Sequence, residues 1–152
     1  MLEKAIETHS KPKIKFKSHI IPVTDKRAIL VYDIFKSRKR PHYALNNPEA
    51  TRGKAFVRVE DKTMQASREM VEFLKGQKKK QGQKIHYGEP EKILFRFLEA
   101  HGRITLPEYC DISRLPQKEA SKILVKLALS NVLKIVVEAR EEYFIYKNQS
   151  LH

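Results

Sequence analysis

The chain has 152 residues, enough for one domain or two small ones. Hydrophobic residues make up 41% and charged residues 32%, with five Gly, so the composition predicts a folded protein. No apolar run approaches the roughly 18–20 residues of a membrane span, and the first residues lack the apolar core of a secretory signal. The single Cys excludes an intramolecular disulfide. We therefore expect a cytoplasmic protein that does not contact a membrane.

The net charge of +13 comes from 31 Lys and Arg against 18 Asp and Glu. Such an excess indicates a polyanionic partner, most often nucleic acid. Residues 1–88 carry 21 cationic and 9 anionic side chains, whereas residues 89–152 carry 10 and 9. Almost all of the excess charge therefore lies in the first part of the chain.

The N-terminal part predicts a short helix followed by a hairpin. The helix covers residues 2–9, and a strand over 13–23 follows because lysines alternate with apolar residues. The apolar, β-branched residues of 27–35 predict a second strand after a tight turn.

A polar loop is then predicted over residues 37–53, a third strand over 54–60 and a helix over 65–75. The glycine- and lysine-rich segment that follows has no apolar residue at its centre and marks a linker at 77–89.

The C-terminal part predicts three helices and a hairpin. The helices cover 90–101, 106–112 and 117–132, and the strands cover 133–137 and 142–147. Thr105 and Glu108 form a capping-box pattern at the second helix. This order is typical of a winged helix-turn-helix.

We therefore predict an α+β fold in three parts. Residues 1–76 form a small α/β unit with a mainly antiparallel sheet, residues 77–89 form a basic linker, and residues 90–152 form the winged helix-turn-helix.

Lys118, Lys122 and Lys126 recur every four residues on the longest helix, opposite an apolar stripe, as a recognition helix requires. A solvated helix face is the alternative interpretation. The predicted DNA contacts of this part are Gln117, Lys118, Ser121, Lys122, Lys126, Arg114, Lys134 and Arg140.

The C-terminal hairpin contradicts a simple DNA-binding surface. Glu138, Glu141 and Glu142 lie at its tip, where phosphates would be repelled. A protein-docking or dimerisation module is therefore the alternative for this unit.

The first unit has its own cationic cluster before a Pro-His-Tyr run. Four closely spaced cations repel one another, and a polyanion would relieve that repulsion. Further phosphate contacts are therefore predicted at Lys36, Arg38, Lys39 and Arg40, with Tyr43 available for stacking on bases. The lysines of the linker are interpreted as solvated.

Residue patterns for catalysis and metal binding are missing from the sequence. The six histidines are dispersed, with no pair three or four residues apart, and no nucleophile motif or phosphate-binding glycine loop occurs. We therefore predict no enzymatic activity, no metal and no cofactor.

Residues 20–76 resemble the back half of the Schlafen AlbA-type (divergent AAA-associated) domain found in DNA-binding proteins of Bacteroidetes. The matching residues are Ser37, Lys39, Arg40, Pro41, His42, Tyr43, Phe56, Val57, Arg58, Val59 and Asp61. The resemblance implies an AlbA-like half-domain that binds nucleic acid, with a winged helix as its companion.

The front half of that family's domain, with the acidic residues that look catalytic in its nucleases, has no counterpart in this chain. Nuclease activity is therefore not implied. Either the chain is a fragment, or a second copy supplies the missing sheet edge, so we predict a homodimer.

The leading functional prediction is a DNA-binding transcriptional regulator. The helix at 117–132 would enter the major groove of double-stranded DNA, and the first unit would hold phosphates. The alternative is an interaction or dimerisation module whose basic half binds RNA or DNA without reading its sequence.

Overall fold

The computed structural model describes residues 2–77, 87–138 and 141–148. Helices and antiparallel strands both occur, which confirms the mixed α+β class. The chain forms two compact units, residues 1–56 and residues 57–152. None of the helices among the described residues is long and apolar enough to cross a membrane.

The division between the units corrects the predicted domains 1–76 and 90–152. It falls at residues 56 and 57, so the helix that was predicted within the first domain belongs to the second unit. The physical reason is that this helix packs against the helix over Gln117–Leu129 of the second unit. Most of the predicted linker, residues 78–86, lies outside the described residues.

The first unit contains one short helix and a set of antiparallel strands. Its elements are α1 Leu2–Thr8, β1 Ser10–Lys11, β2 Phe16–Thr24, β3 Arg27–Ile34, β4 Tyr43–Ala44 and the start of β5 Lys54–Val59. β2 and β3 form the predicted hairpin, with Phe16 opposite Ile34 and Ile21 opposite Ile29.

A second sheet in this unit is built around the segment predicted as a loop. Tyr43 of β4 lies opposite both Lys11 of β1 and Ala55 of β5. Leu45 and Ala55 are buried here, so the unit has a small apolar core.

The second unit follows the predicted element order closely. Its elements are the remainder of β5, β6 Lys62–Gln65, α2 Arg68–Gly76, α3 Glu89–His101, α4 Leu106–Ser113, α5 Gln117–Leu129, β7 Leu133–Val137 and β8 Glu142–Tyr146. β6, which lies mostly between the predicted strand 54–60 and the predicted helix 65–75, was not predicted. It lies next to β5 in the sheet.

The core of the second unit joins its helices to the β7–β8 hairpin. Its buried residues are Leu94, Leu98, Ile104, Tyr109, Ala120, Leu124, Leu127, Ala128, Leu133 and Phe144. Ile104 forms an isolated antiparallel bridge to Phe144, which ties the segment between α3 and α4 to the hairpin. This core fixes the orientation of α5.

Local signals set the helix ends as predicted. The Thr105 hydroxyl accepts from the Glu108 backbone N–H at 3.4 Å, and the Glu108 carboxylate accepts from the Thr105 N–H at 2.8 Å, which completes the capping box. Gly102 ends α3 with a φ of 77°, a conformation that favours glycine.

Candidate functional site

Helix α2 packs alongside α5 within the second unit. The Ser121 hydroxyl donates to a carboxylate oxygen of Glu69 at 2.6 Å. About two turns further along both helices, a Cβ added to Gly76 of α2 would lie 2.5 Å from Leu129 Cδ1 of α5. Because both contacts advance in the same direction along both helices, α2 and α5 are parallel.

A groove with a volume of about 480 Å³ runs between these two helices. We call it the α2–α5 groove. Val125, Leu129 and Gly76 contribute its apolar surface, and Ser121 contributes a hydroxyl. Its charged lining residues are Arg68, Glu72, Lys75, Lys118, Lys122 and Lys126.

The charge of the α2–α5 groove is strongly positive, since five cations line it and Glu72 is the one anion among its described lining residues. Glu72 pairs with Lys75 at 2.9 Å. Among the residues that the structure describes, Arg68, Lys118, Lys122 and Lys126 form no ion pair. An anion that entered the groove would therefore meet cations that are not neutralised by these carboxylates.

The structure brings together part of the predicted recognition surface. Gln117, Lys118 and Lys122 are exposed, and Lys126 is half-buried. Ser121 corrects the prediction, because it is 8% exposed and its hydroxyl is bound to Glu69 instead of pointing to solvent. The cause is α2, which lies over the side of α5 that carries Ser121.

The groove also contains residues that the sequence analysis did not select. Arg68, Glu72 and Lys75 line it from α2. Glu69 of the same helix is buried and accepts the Ser121 hydrogen bond, but it does not line the groove. An amphipathic pattern over 65–75 predicts a helix with a polar side. It does not reveal which other helix lies beside that polar side, and this is why the α2 residues were missed.

The acidic residues of the hairpin have partners inside the second unit. Tyr143 donates its phenol hydrogen to Glu138 at 2.6 Å, and Arg103 lies 3.5 Å from Glu141. Glu142 accepts a hydrogen bond of 2.8 Å from the hydroxyl of Ser67. These carboxylates therefore contribute to the structure of the unit.

Ser67 links the hairpin to α2. Its hydroxyl caps α2 by accepting from the Met70 N–H at 2.9 Å while it donates to Glu142. Burial raises the pKa of Glu142, the hydrogen bond from Ser67 lowers it, and the charge of Glu69 raises it further. The net direction is upward.

Two other predicted contacts of the second unit, Arg114 and Lys134, do not line the groove. Arg114 is exposed at the C-terminal end of α4, with a φ of 55°, and Lys134 is exposed on β7. Arg140 lies outside the described residues.

The predicted contacts of the first unit are divided between a pocket and the surface. Lys36 and Arg40 line a pocket of about 370 Å³. Arg38 and Lys39 are exposed, and Tyr43 is half-buried within β4.

The ring of His42 also lines that pocket. Its Nδ1 lies 2.6 Å from the Pro12 carbonyl oxygen, which connects the loop to the segment after β1.

Within residues 2–77, 87–138 and 141–148, no group of three or more His, Cys, Asp or Glu is placed to hold a metal ion. No family model, curated protein or solved structure matches this chain.

Proposed function

We propose that the chain binds double-stranded DNA through its phosphates, with the α2–α5 groove as the contact surface. The observation that carries the proposal is the row of cations on both sides of this groove. Lys118, Lys122 and Lys126 follow one another at intervals of about 6 Å along α5, and Arg68 and Lys75 face them from α2. Such rows match the closely spaced charges of a nucleic-acid backbone.

The chemistry of the lining favours a duplex over a single strand. Proteins that hold single strands supply aromatic rings on which the bases stack. The described residues that line the α2–α5 groove include no aromatic side chain. A ligand that presents phosphates and keeps its bases inside is therefore the better fit.

Because α2 lies beside α5, contact with the DNA phosphate backbone fits the structure better than insertion of α5 into the major groove. Two helices packed side by side are about 20 Å across, whereas the major groove of DNA is about 12 Å wide. α2 lies against the side of α5 that bears Ser121, with Lys118 and Lys122 in the groove between the helices. Insertion by that side would require α2 to leave α5.

A sequence-reading regulator is the second candidate. The order of α3, α4, α5 and the β7–β8 hairpin is the order of a winged helix-turn-helix, and we propose that fold for this part of the unit. Gln117, at the exposed N-terminal end of α5, has the amide that can read adenine. This mode requires base contacts in addition to phosphate contacts.

The experiment measures binding to random duplex DNA, duplex RNA and single-stranded DNA by fluorescence anisotropy over a range of salt concentrations. The variant is Lys118→Gln, Lys122→Gln, Lys126→Gln. Loss of three phosphate contacts should reduce the steepness of log K against log salt by about 2.7. The matched control, with the same loss of charge on exposed lysines outside the groove, is Lys4→Gln, Lys62→Gln, Lys147→Gln.

The control should change this slope by less than about 0.9, the value for a single phosphate contact. Equal slopes for the two variants would show that bulk charge, not the α2–α5 groove, attracts the DNA, and would contradict the proposal.

Selection of duplexes from a random pool separates the two candidates. A selected duplex that binds at least 1,000-fold more tightly than random DNA, and loses that preference in Gln117→Ala, would establish sequence reading.

A further inference from the structure

The β2–β3 hairpin of the first unit is exposed almost throughout. It is a two-stranded sheet, and in the part of the chain that the structure describes no third strand pairs with either edge. Most of its residues in β2 and β3 are exposed. A two-stranded hairpin is marginally stable in water unless another surface covers it.

The register divides the hairpin into two faces of different chemistry. We call the first the even face; its paired residues are Phe16, Ser18, Ile20, Pro22, Ala28, Leu30, Tyr32 and Ile34. The odd face consists of Lys17, His19, Ile21, Ile29, Val31 and Asp33. His19 lies 3.6 Å from Asp33, so the odd face has a polar pair, whereas the even face has no ionisable group except the phenol of Tyr32.

Large apolar side chains of the even face are open to solvent. Ile20 is 68% exposed, Leu30 50% and Ile34 66%. The rings of Phe16 and Tyr32 contact each other, with their centroids 5.7 Å apart. The Ser18 hydroxyl donates to Glu3 of α1, which places one carboxylate next to this face.

We propose that the even face packs against the even face of a second copy of this chain. The exposed apolar surface of this face amounts to roughly 400 Å², judged from its exposed fractions. Apolar atoms make up about 60% of a typical interface, so the whole contact would bury around 700 Å² per chain. That is close to the roughly 800 Å² per partner of a standard stable complex.

Charge selects this face for self-association. Two chains that each carry +13 repel each other, and contact through the odd face would bury Lys17 and Asp33 of both copies. The even face carries neither of these charges, and its Ser18 already supplies a hydrogen bond to the neighbouring Glu3 carboxylate. A two-fold axis brings the same surface of both copies together, so an apolar surface would pack against an equally apolar one.

The test is sedimentation equilibrium of the full chain, with a triple variant on each face. Ile20→Thr, Leu30→Thr, Ile34→Thr removes apolar surface from the even face, and Ile21→Thr, Ile29→Thr, Val31→Thr is the matched control on the odd face. Thr retains the preference for strands. The wild type and the control should be dimers, and the even-face variant should have a Kd at least about 100-fold higher.

A crosslinking measurement gives an independent readout on nearly native protein. In a Cys110→Ser background, Leu30→Cys should be joined between two copies by a short bismaleimide, and Val31→Cys on the odd face should not. A wild-type monomer at roughly 100 µM would overturn the proposal. So would equal weakening by the two triple variants, or equal crosslinking at the two cysteines, since either result would place the contact elsewhere.

Discussion

Glu142 is a carboxyl group whose surroundings disfavour its charged form. Burial raises its pKa above the ordinary value of 4.5, although Ser67 donates a hydrogen bond to it. The folded chain therefore holds this proton more tightly than the unfolded chain does. Because the folded state binds more protons, its contribution to the free energy of unfolding decreases as the pH rises from about 4.5 through the raised pKa.

We expect Glu142→Gln to stabilise the second unit at pH 7. The amide oxygen of Gln can still accept from Ser67, and the cost of a charged carboxylate disappears. Tm should exceed that of the wild type at pH 7, and the two should converge near pH 4, where Glu142 is protonated. Thermal unfolding followed by circular dichroism at both pH values tests this. A lower Tm for the variant at pH 7 would contradict it.

At the level of single residues, the sequence predicted local contacts better than distant ones. The capping box of Thr105 and Glu108 depends on residues three positions apart and was confirmed. Ser121 was assigned to DNA because it lies between Lys118 and Lys122 on nearly the same helix face, but its partner is Glu69, 52 residues away. Only the tertiary structure determines that contact.

At the level of elements, most helices and strands follow from hydrophobic patterns. The predicted helices 90–101 and 106–112 correspond to α3 and α4 within one residue at each end, and the strand 133–137 is β7. β4 has two residues and too little pattern to be distinguished from a loop. It exists because β1 and β5 supply its backbone partners.

The pairing of β4 with β5 depends on the lack of a side chain at residue 53. A Cβ at Gly53 would lie 2.5 Å from the Ala44 carbonyl oxygen and 2.8 Å from Leu45 Cδ2. The first of these atoms belongs to the backbone and cannot rotate away. The β4–β5 pair must therefore separate or shift if residue 53 has a methyl group.

Gly53→Ala should lower the free energy of unfolding of the first unit by about 1–3 kcal/mol. Hydrogen exchange of the Tyr43–Ala44 and Lys54–Val59 backbone amides is expected to accelerate, because β4 and β5 would open more often. Amides of α5 in the second unit provide the internal reference. Unchanged protection in β4 and β5 would show that the structure accommodates the added methyl group without destabilisation, which would contradict this prediction.

At the scale of the whole molecule, the two proposals are coupled through stoichiometry. A dimer held by the even face would carry two α2–α5 grooves, so one duplex could occupy both when it is long enough to reach them. The second contact would then form within a complex that already exists, and this raises the overall affinity.

The even-face variant described above should therefore bind a long duplex at least about 100-fold more weakly than the wild type does. Its affinity for a duplex too short to reach two sites should remain within a few-fold of the wild-type value. Anisotropy titrations with duplexes of increasing length measure both. Equal losses for short and long duplexes would show that the hairpin contacts DNA directly.

The composition predicts a polyanionic partner, but it does not predict how the cations are grouped in the structure. Asymmetry of charge along the sequence suggested that the first part holds the phosphates. The second unit gathers cations from α2 and α5 into one groove, although its C-terminal residues 89–152 are nearly neutral in sum. The resemblance of residues 20–76 to the AlbA-type domain stays a prediction.

Dimerisation and DNA binding should respond to salt in opposite directions. The first depends on the exposed isoleucines of the β2–β3 hairpin, and the second depends on the positive charge. Added salt would shield one copy from the repulsion of the other, while the apolar contact itself persists. The same salt would weaken the hold of lysine on phosphate. At high salt the chain would thus dissociate from DNA while it remains a dimer, whereas at low salt its binding to DNA is tightest and the repulsion between unbound copies is strongest.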